Sequence, residues 1–272
     1  MRYFLPLLLL AITAGCSGTD EEQARPAGQA PPLVVLSHAF SHTAAVPGQT
    51  LRILWQFDLA DSWHLYGPGR NDSGFPPSVK LTLPAGWQAG PLQWPAPARY
   101  LMPGGILDHV YHGQLLLVQD LVVPASAKVG QAVVIPAQVD WLVCKDECVP
   151  GRTRVELRLQ TADTAGETPR TREIAAALQA VPGPPPDGSV TVAWTEGRVA
   201  LEVAGATGLE FYPDLDCLPL LDLAAEGQAQ GSRLELGVGP PRGDRTRLKG
   251  ILHQVIPGAP PRNWTIDFNP GG

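Results

Sequence analysis

Short apolar stretches separated by turn residues run along this chain from Leu33 onward, and their spacing is that of strands. Alternating or β-branched runs mark Leu33–His38, Leu51–Leu59, Val79–Leu83, Gly113–Val123, Val133–Val143 and Thr153–Leu159. Short strands at this spacing suit one β-sandwich over residues 33–161. A single stretch has the helical period instead, Thr171 to Ala180, and the prolines from Pro182 to Pro186 end it. It predicts a helical, proline-rich linker over residues 162–188. Strand patterning resumes at Val190–Trp194, Arg198–Val203, Leu209–Tyr212, Arg233–Val238, Leu248–Val255 and Trp264–Phe268. These predict a second, smaller β domain over residues 189–269. The expected fold class is all-β.

The first residues follow another rule. Arg2 precedes a short apolar core, Phe4 to Ile12, and Thr13-Ala14-Gly15 leads into Cys16. This predicts a secretory signal peptide over residues 1–16 that is too short to span a bilayer. Small residues directly before a cysteine resemble the bacterial lipoprotein cleavage box, so Cys16 is the expected lipidation site. An ordinary secretory cleavage nearby is the alternative. Residues 17–32 are polar and rich in Ala, Pro, Gly and Gln, a flexible tether. Ser17 rather than Asp after the cysteine favours the outer membrane. The expected location is therefore the periplasm of a Gram-negative bacterium, with the membrane reached through lipid.

Composition sharpens this picture. Twenty-nine Gly and 29 Pro in 272 residues leave few windows for long helices. The net charge of −6, with no basic cluster, argues against nucleic acid as a partner.

Candidate chemistry is concentrated in Trp141-Leu-Val-Cys144-Lys-Asp-Glu-Cys148-Val-Pro-Gly151. Cys144 closes one strand and Cys148 opens the next, so the two face each other across a hairpin. Facing Cα atoms there lie about 4.5–5.5 Å apart, within the reach of a disulfide. The ring would hold only five residues, and loop entropy gives such a bridge about 2 kcal/mol. A pair that holds a fold together normally joins distant segments, so this one is better placed to open and close. A structural staple is the plain alternative. Zinc sites usually add a second close pair of ligands, and none stands at convincing spacing, so no metal or other cofactor is expected. His109 and His112 fall on opposite faces of a strand and read as ordinary exposed or edge residues. Cys217 sits among apolar residues and reads as a buried, inert thiol. Lys145 would favour a thiolate, whereas Asp146 and Glu147 oppose it.

Several segments carry a resemblance. Trp63-His-Leu-Tyr66, Asn71-Asp-Ser-Gly74-Phe-Pro76, Gln93-Trp-Pro-Ala-Pro97 and Val139 to Pro150 occur in this order. Together they resemble the N-terminal periplasmic region of the DsbD family of disulfide reductases, closest to the branch that includes the copper-sensitivity suppressor ScsB. Phe211-Tyr-Pro213, Leu248-Lys-Gly-Ile-Leu and Asn263-Trp-Thr resemble its second half. The resemblance implies an immunoglobulin-like domain in which Cys144 and Cys148 are the redox pair. In that family the pair takes electrons from a membrane-embedded domain and hands them to periplasmic thioredoxin-like partners. Full-length members continue into a membrane domain and a thioredoxin domain, which this sequence lacks. The expectation is therefore a separate membrane disulfide reductase as electron source. Tyr66 and Phe75, with the loop Gly67 to Pro77, are candidates for a cap over the cysteines like the family's, an ordinary solvated loop being the alternative. Trp63 and Trp141 are expected as core or cysteine-shielding aromatics. The competing reading is a non-redox lipoprotein that binds copper or an apoprotein, with Cys144–Cys148 as a permanent staple.

Overall fold

Alternation of buried and exposed positions builds two β-sandwiches in the computed structural model, which describes residues 32–240 and 242–269. The expected signal peptide, the lipidation site Cys16 and nearly all of the tether lie outside the described residues. Ten strands form the first sandwich: β1 (Val34–Phe40), β2 (Thr50–Leu59), β3 (His64–Tyr66), β4 (Ser78–Leu81), β5 (Gln88–Gln93), β6 (Ala98–Met102), β7 (Ile106–His112), β8 (Gln114–Val122), β9 (Ala132–Cys144) and β10 (Cys148–Gln160). One antiparallel sheet has the order β1-β2-β8-β5. The other runs β10-β9-β3-β7-β6, with β4 also paired to β9. Ile53, Trp55, Phe57, Leu115 and Leu117 from the first sheet meet Leu65, Ile135, Val139, Val143 and Leu157 from the second. Each such side chain, removed from water, contributes about 1.5–3 kcal/mol before chain entropy is counted.

The segment after β10 packs back onto this sandwich. Helix α1 (Thr171–Gln179) turns Ile174 and Ala177 toward Leu54 and Val118 on the outer face of the β2/β8 pair. Those positions, three apart, share one helix face. Thr168 Oγ1 donates to the Phe40 carbonyl at 2.6 Å, and Thr171 Oγ1 donates to that of Ser41. The predicted linker helix is thus a packed element of the first sandwich.

The second sandwich comprises β11 (Thr191–Thr195), β12 (Arg198–Glu202), β13 (Gly208–Pro213), β14 (Leu220–Leu221), the single turn α2 (Leu223–Glu226), β15 (Gln228–Gln230), β16 (Arg233–Val238), β17 (Leu248–Val255) and β18 (Arg262–Phe268). Its sheets have the orders β11-β12-β16-β14 and β15-β13-β17-β18 around Leu201, Phe211, Leu236 and Leu252. Cys217 is fully buried in this core, and burial pushes its thiol up to about 11.

The two sandwiches touch along β6, β7 and the loop that follows β3. The Arg99 guanidinium donates to the carbonyls of Leu223 and Ala224, at 2.9 and 2.7 Å. The Arg70 N–H donates to the Pro213 carbonyl at 2.9 Å. At Gly69 the backbones come so close that a Cβ would stand 2.5 Å from that carbonyl oxygen, so the approach needs glycine. Among the described residues no helix is long and apolar enough to cross a membrane.

Candidate functional site: a disulfide hairpin under a pinned loop

Strand β9 ends on Cys144 and β10 begins on Cys148, so these residues are direct partners across the hairpin. Their Cα atoms stand 4.1 Å apart and a disulfide joins them. The turn between them is closed by the Lys145 N–H donating to the Glu147 carbonyl at 3.0 Å. Cys144 is buried, whereas Cys148 is exposed. A reagent from solvent therefore meets Cys148 first.

Strand alternation decides what surrounds the sulfurs. Cys144 faces His64 across the β3/β9 pair, and His64 faces His112 across β3/β7. Tyr66 and Val110 form the next pair on the same side and pack with Cys144, Leu142 and Tyr100. The Tyr66 hydroxyl lies 3.7 Å from Cys148 Sγ and 3.2 Å from Ser73 Oγ. Burial raises the Tyr66 pKa above the usual phenol range, so a neutral hydroxyl stands beside the sulfur.

The loop Gly67 to Pro77 is fastened over this end of the sheet. Asp108 on β7 is fully buried and accepts from the Asp72 and Ser73 N–H groups at 2.8 and 3.0 Å. Its other oxygen accepts from Ser73 Oγ at 2.5 Å. Asp72 in turn accepts from the Leu107 N–H at 2.7 Å, and Asn71 Oδ1 from the His109 N–H at 2.8 Å. Gly74 lies flat on the Tyr66 ring, where a Cβ would fall 2.1 Å from the ring carbons. The loop thus covers Tyr66, whose hydroxyl lies beside the Cys148 sulfur.

The other residues named from sequence fall elsewhere. Trp63 and Trp141 occupy alternate positions to His64 and Cys144 and pack against the sandwich core, not over the sulfurs. The Trp141 and Phe57 rings meet in a T-shaped arrangement, their centroids 6.3 Å apart. Opposite Trp141, Gly151 leaves the space the indole fills, since a Cβ there would stand 2.2 Å from the ring. Phe75 lies on the loop but is 55% exposed. His109 is not an exposed or edge residue: it is buried, Nδ1 lies 2.8 Å from the Arg70 carbonyl, and its ring is 5.0 Å from Tyr212. His112 is exposed, as its position at the strand end leads one to expect. Asp108, which fastens the loop, and His64, which pairs with Cys144, also belong to this arrangement, though no motif marks them. The signal for Asp108 was a lone acid inside an apolar strand, where burial requires partners. Among the described residues no group of three or more His, Cys, Asp or Glu side chains is placed to hold a metal ion.

Burial lowers the pKa of His38, His64 and His109 below the ordinary imidazole value. Below about pH 6.5 the unfolded chain then binds protons that the folded chain refuses, and stability falls with pH. A thermal melt followed from pH 7 to pH 5 is expected to show a falling midpoint. A midpoint that holds or rises across that window contradicts the assignment.

Residues 30–160 match the family model described as thiol:disulfide interchange protein DsbD, N-terminal. No curated protein matches the chain. Among solved structures, the N-terminal periplasmic domain of ScsB from Proteus mirabilis superposes with a TM-score of 0.56 at 14% identity, over 85% of this chain and 92% of that one. The DsbD N-terminal domain from Neisseria meningitidis, in the reduced form, gives a TM-score of 0.32 at 12% identity, over 50% and 90%. The first likeness extends the shared fold across both sandwiches. Residues 30–160, which hold the Cys144–Cys148 hairpin, are therefore a domain of the DsbD N-terminal thiol:disulfide interchange family.

Proposed function

We propose that this protein is a periplasmic electron relay that works by thiol–disulfide exchange at Cys144 and Cys148. A separate membrane reductase supplies the electrons, and thioredoxin-like or other periplasmic proteins receive them. Cys16 carries lipid that keeps the relay at the membrane. The observation that carries this reading is the asymmetry of the pair: one sulfur is exposed and the other buried, within a hairpin ring of five residues. Exchange needs an outward thiolate that attacks a partner disulfide and a second thiol that resolves the mixed disulfide. Cys148 is suited to the first task and Cys144 to the second. Tyr66, with the pinned loop and Phe75 at its rim, forms the cap through which partners reach Cys148.

Replacing one cysteine at a time tests the assignment. Cys144→Ser keeps the attacking thiol and should accumulate reducible adducts with thioredoxin-fold proteins in a periplasmic extract. Cys148→Ser should trap little, and the double variant nothing. If neither single variant yields an adduct while the parent pair is oxidised, the bridge is a staple. The competing reading, a non-redox binding module, then takes its place.

A further inference from the structure

Besides Cys148 itself, the titratable residue paired directly with the resolving cysteine among the described residues is His64. It lies opposite Cys144 in the β3/β9 pair, where side chains of facing residues share one side with Cβ atoms about 4.5–5.5 Å apart. The imidazole is 2% exposed, and its Nε2 has no hydrogen-bond partner among the described residues. A buried polar nitrogen left unmet costs stability, so the position reads as one kept for another purpose. Its surroundings also leave a way out for a proton. Its ring centroid is 5.6 Å from that of His112, which is exposed. Tyr66 and Tyr100 close the remaining sides, at 5.3 and 5.0 Å.

We infer that His64 is the proton acceptor for Cys144 in the step that resolves the mixed disulfide, with His112 as the route to solvent. The inference rests on the exchange reading above and adds the base that reading leaves unnamed. In the first step the Cys148 thiolate attacks the partner's disulfide. A bond forms between Cys148 and one partner sulfur, the partner's own bond breaks, and its second sulfur leaves as thiolate. In the second step the Cys144 thiol gives its proton to His64 as its sulfur attacks Cys148 Sγ. The Cys144–Cys148 bond forms, the mixed bond breaks, and the partner departs with two electrons more than it brought. The imidazolium then returns its proton to the departing thiolate or, through His112, to water.

The charge environment suits an acceptor. Burial is the largest influence and lowers the His64 pKa, the neighbouring His112 lowers it further, and Asp108 on β7 opposes them. The other ionisable groups facing the ring are Tyr66 on its own strand, Tyr100 on β6 and Cys144 on β9. His64 is therefore neutral near pH 7, the form that accepts a proton. Cys144, buried against Tyr66 and Val110, lies where desolvation works against a free thiolate, so a local base has work to do.

The reduced full-length protein mixed with 5,5′-dithiobis(2-nitrobenzoate) separates the steps. Attack by Cys148 releases the first thionitrobenzoate, and resolution by Cys144 releases the second. In the parent, the second phase should level off once His64 is neutral, above about pH 6.5. In His64→Gln and His64→Phe it should slow at least tenfold relative to the first phase, and then climb tenfold per pH unit with the free thiolate. A merely structural role for His64 would shift both phases without changing that slope. A variant that keeps the parent's level profile overturns the inference. So does a parent whose second phase climbs tenfold per unit through pH 8, a result that needs no variant to fold. A parent that never releases the second equivalent instead overturns the exchange reading itself, and Cys144→Ser, releasing only the first, fixes what that looks like.

Discussion

Phe57→Ala should lower the stability of the first sandwich by about 3–5 kcal/mol, the usual cost of emptying a buried aromatic site. Phe57 is fully buried in the core, and its ring meets that of Trp141 in a T-shaped contact. Deleting it removes the surface on which the redox hairpin rests, so the loss is both cohesive and local. For a chain of this size the melting midpoint should drop by roughly 10 °C. Circular dichroism melts of the variant against Val134→Ala, whose side chain is well exposed, check the claim. The exposed control should stay within about 0.5 kcal/mol of the parent. An equal, small effect for both would mean that Phe57 does not bear the hairpin.

Asp108→Ala should have the next largest effect, and its character differs. The Ser73 N–H and the Ser73 hydroxyl lose their charged acceptor, and the Asp72 N–H keeps just its longer bond to the Leu107 carbonyl, at 3.2 Å. Hydrogen bonds to a charged acceptor contribute about 1.5–3 kcal/mol each, but water replaces part of that once the loop lifts. A net cost of about 3 kcal/mol is expected, confined to the loop over Tyr66. Amide hydrogen exchange at Ser73 should then quicken by about a hundredfold, the equivalent of that energy, while β2 and β8 keep their protection. Unchanged exchange at that amide would assign the fastening to Arg70, Asn71 and the Asp72–Leu107 bonds instead.

These two residues also mark what the sequence could and could not tell. Phe57 sits in an alternating run, and alternation placed β2 within a residue of its observed limits. The long strands β8, β9, β10, β16 and β17 were legible for the same reason, since one face is buried against a partner sheet. Asp108 and His109 hid β7, whose interior is buried from Leu107 to Tyr111 although two of those five residues are polar. Both are buried because each has a fixed partner in the loop, and such pairings are set by chain segments distant in sequence. Strand β5 was masked by Gly90 and Pro91 at a register shift against β8. Strand β3 spans only three residues, too few to show a period. The cysteine hairpin was fully legible because its geometry is local. Its environment was not, because which side a Trp or a His faces depends on the parity of three strands together.

The docking of α1 bears on how this region can be cut and inherited. The family match stops at residue 160, yet the face formed by Leu54 and Val118 is closed by Ile174, Ala177 and Leu178 beyond it. Phe40 and Ser41 likewise present their carbonyls to Thr168 and Thr171. A fragment ending where the family ends would bare an apolar strip along the middle of the β1-β2-β8-β5 sheet, an invitation to self-association. The smallest piece that evolution or an experimenter can move intact therefore runs through the helix, and the proline run at Pro182 to Pro186 is where the seam falls.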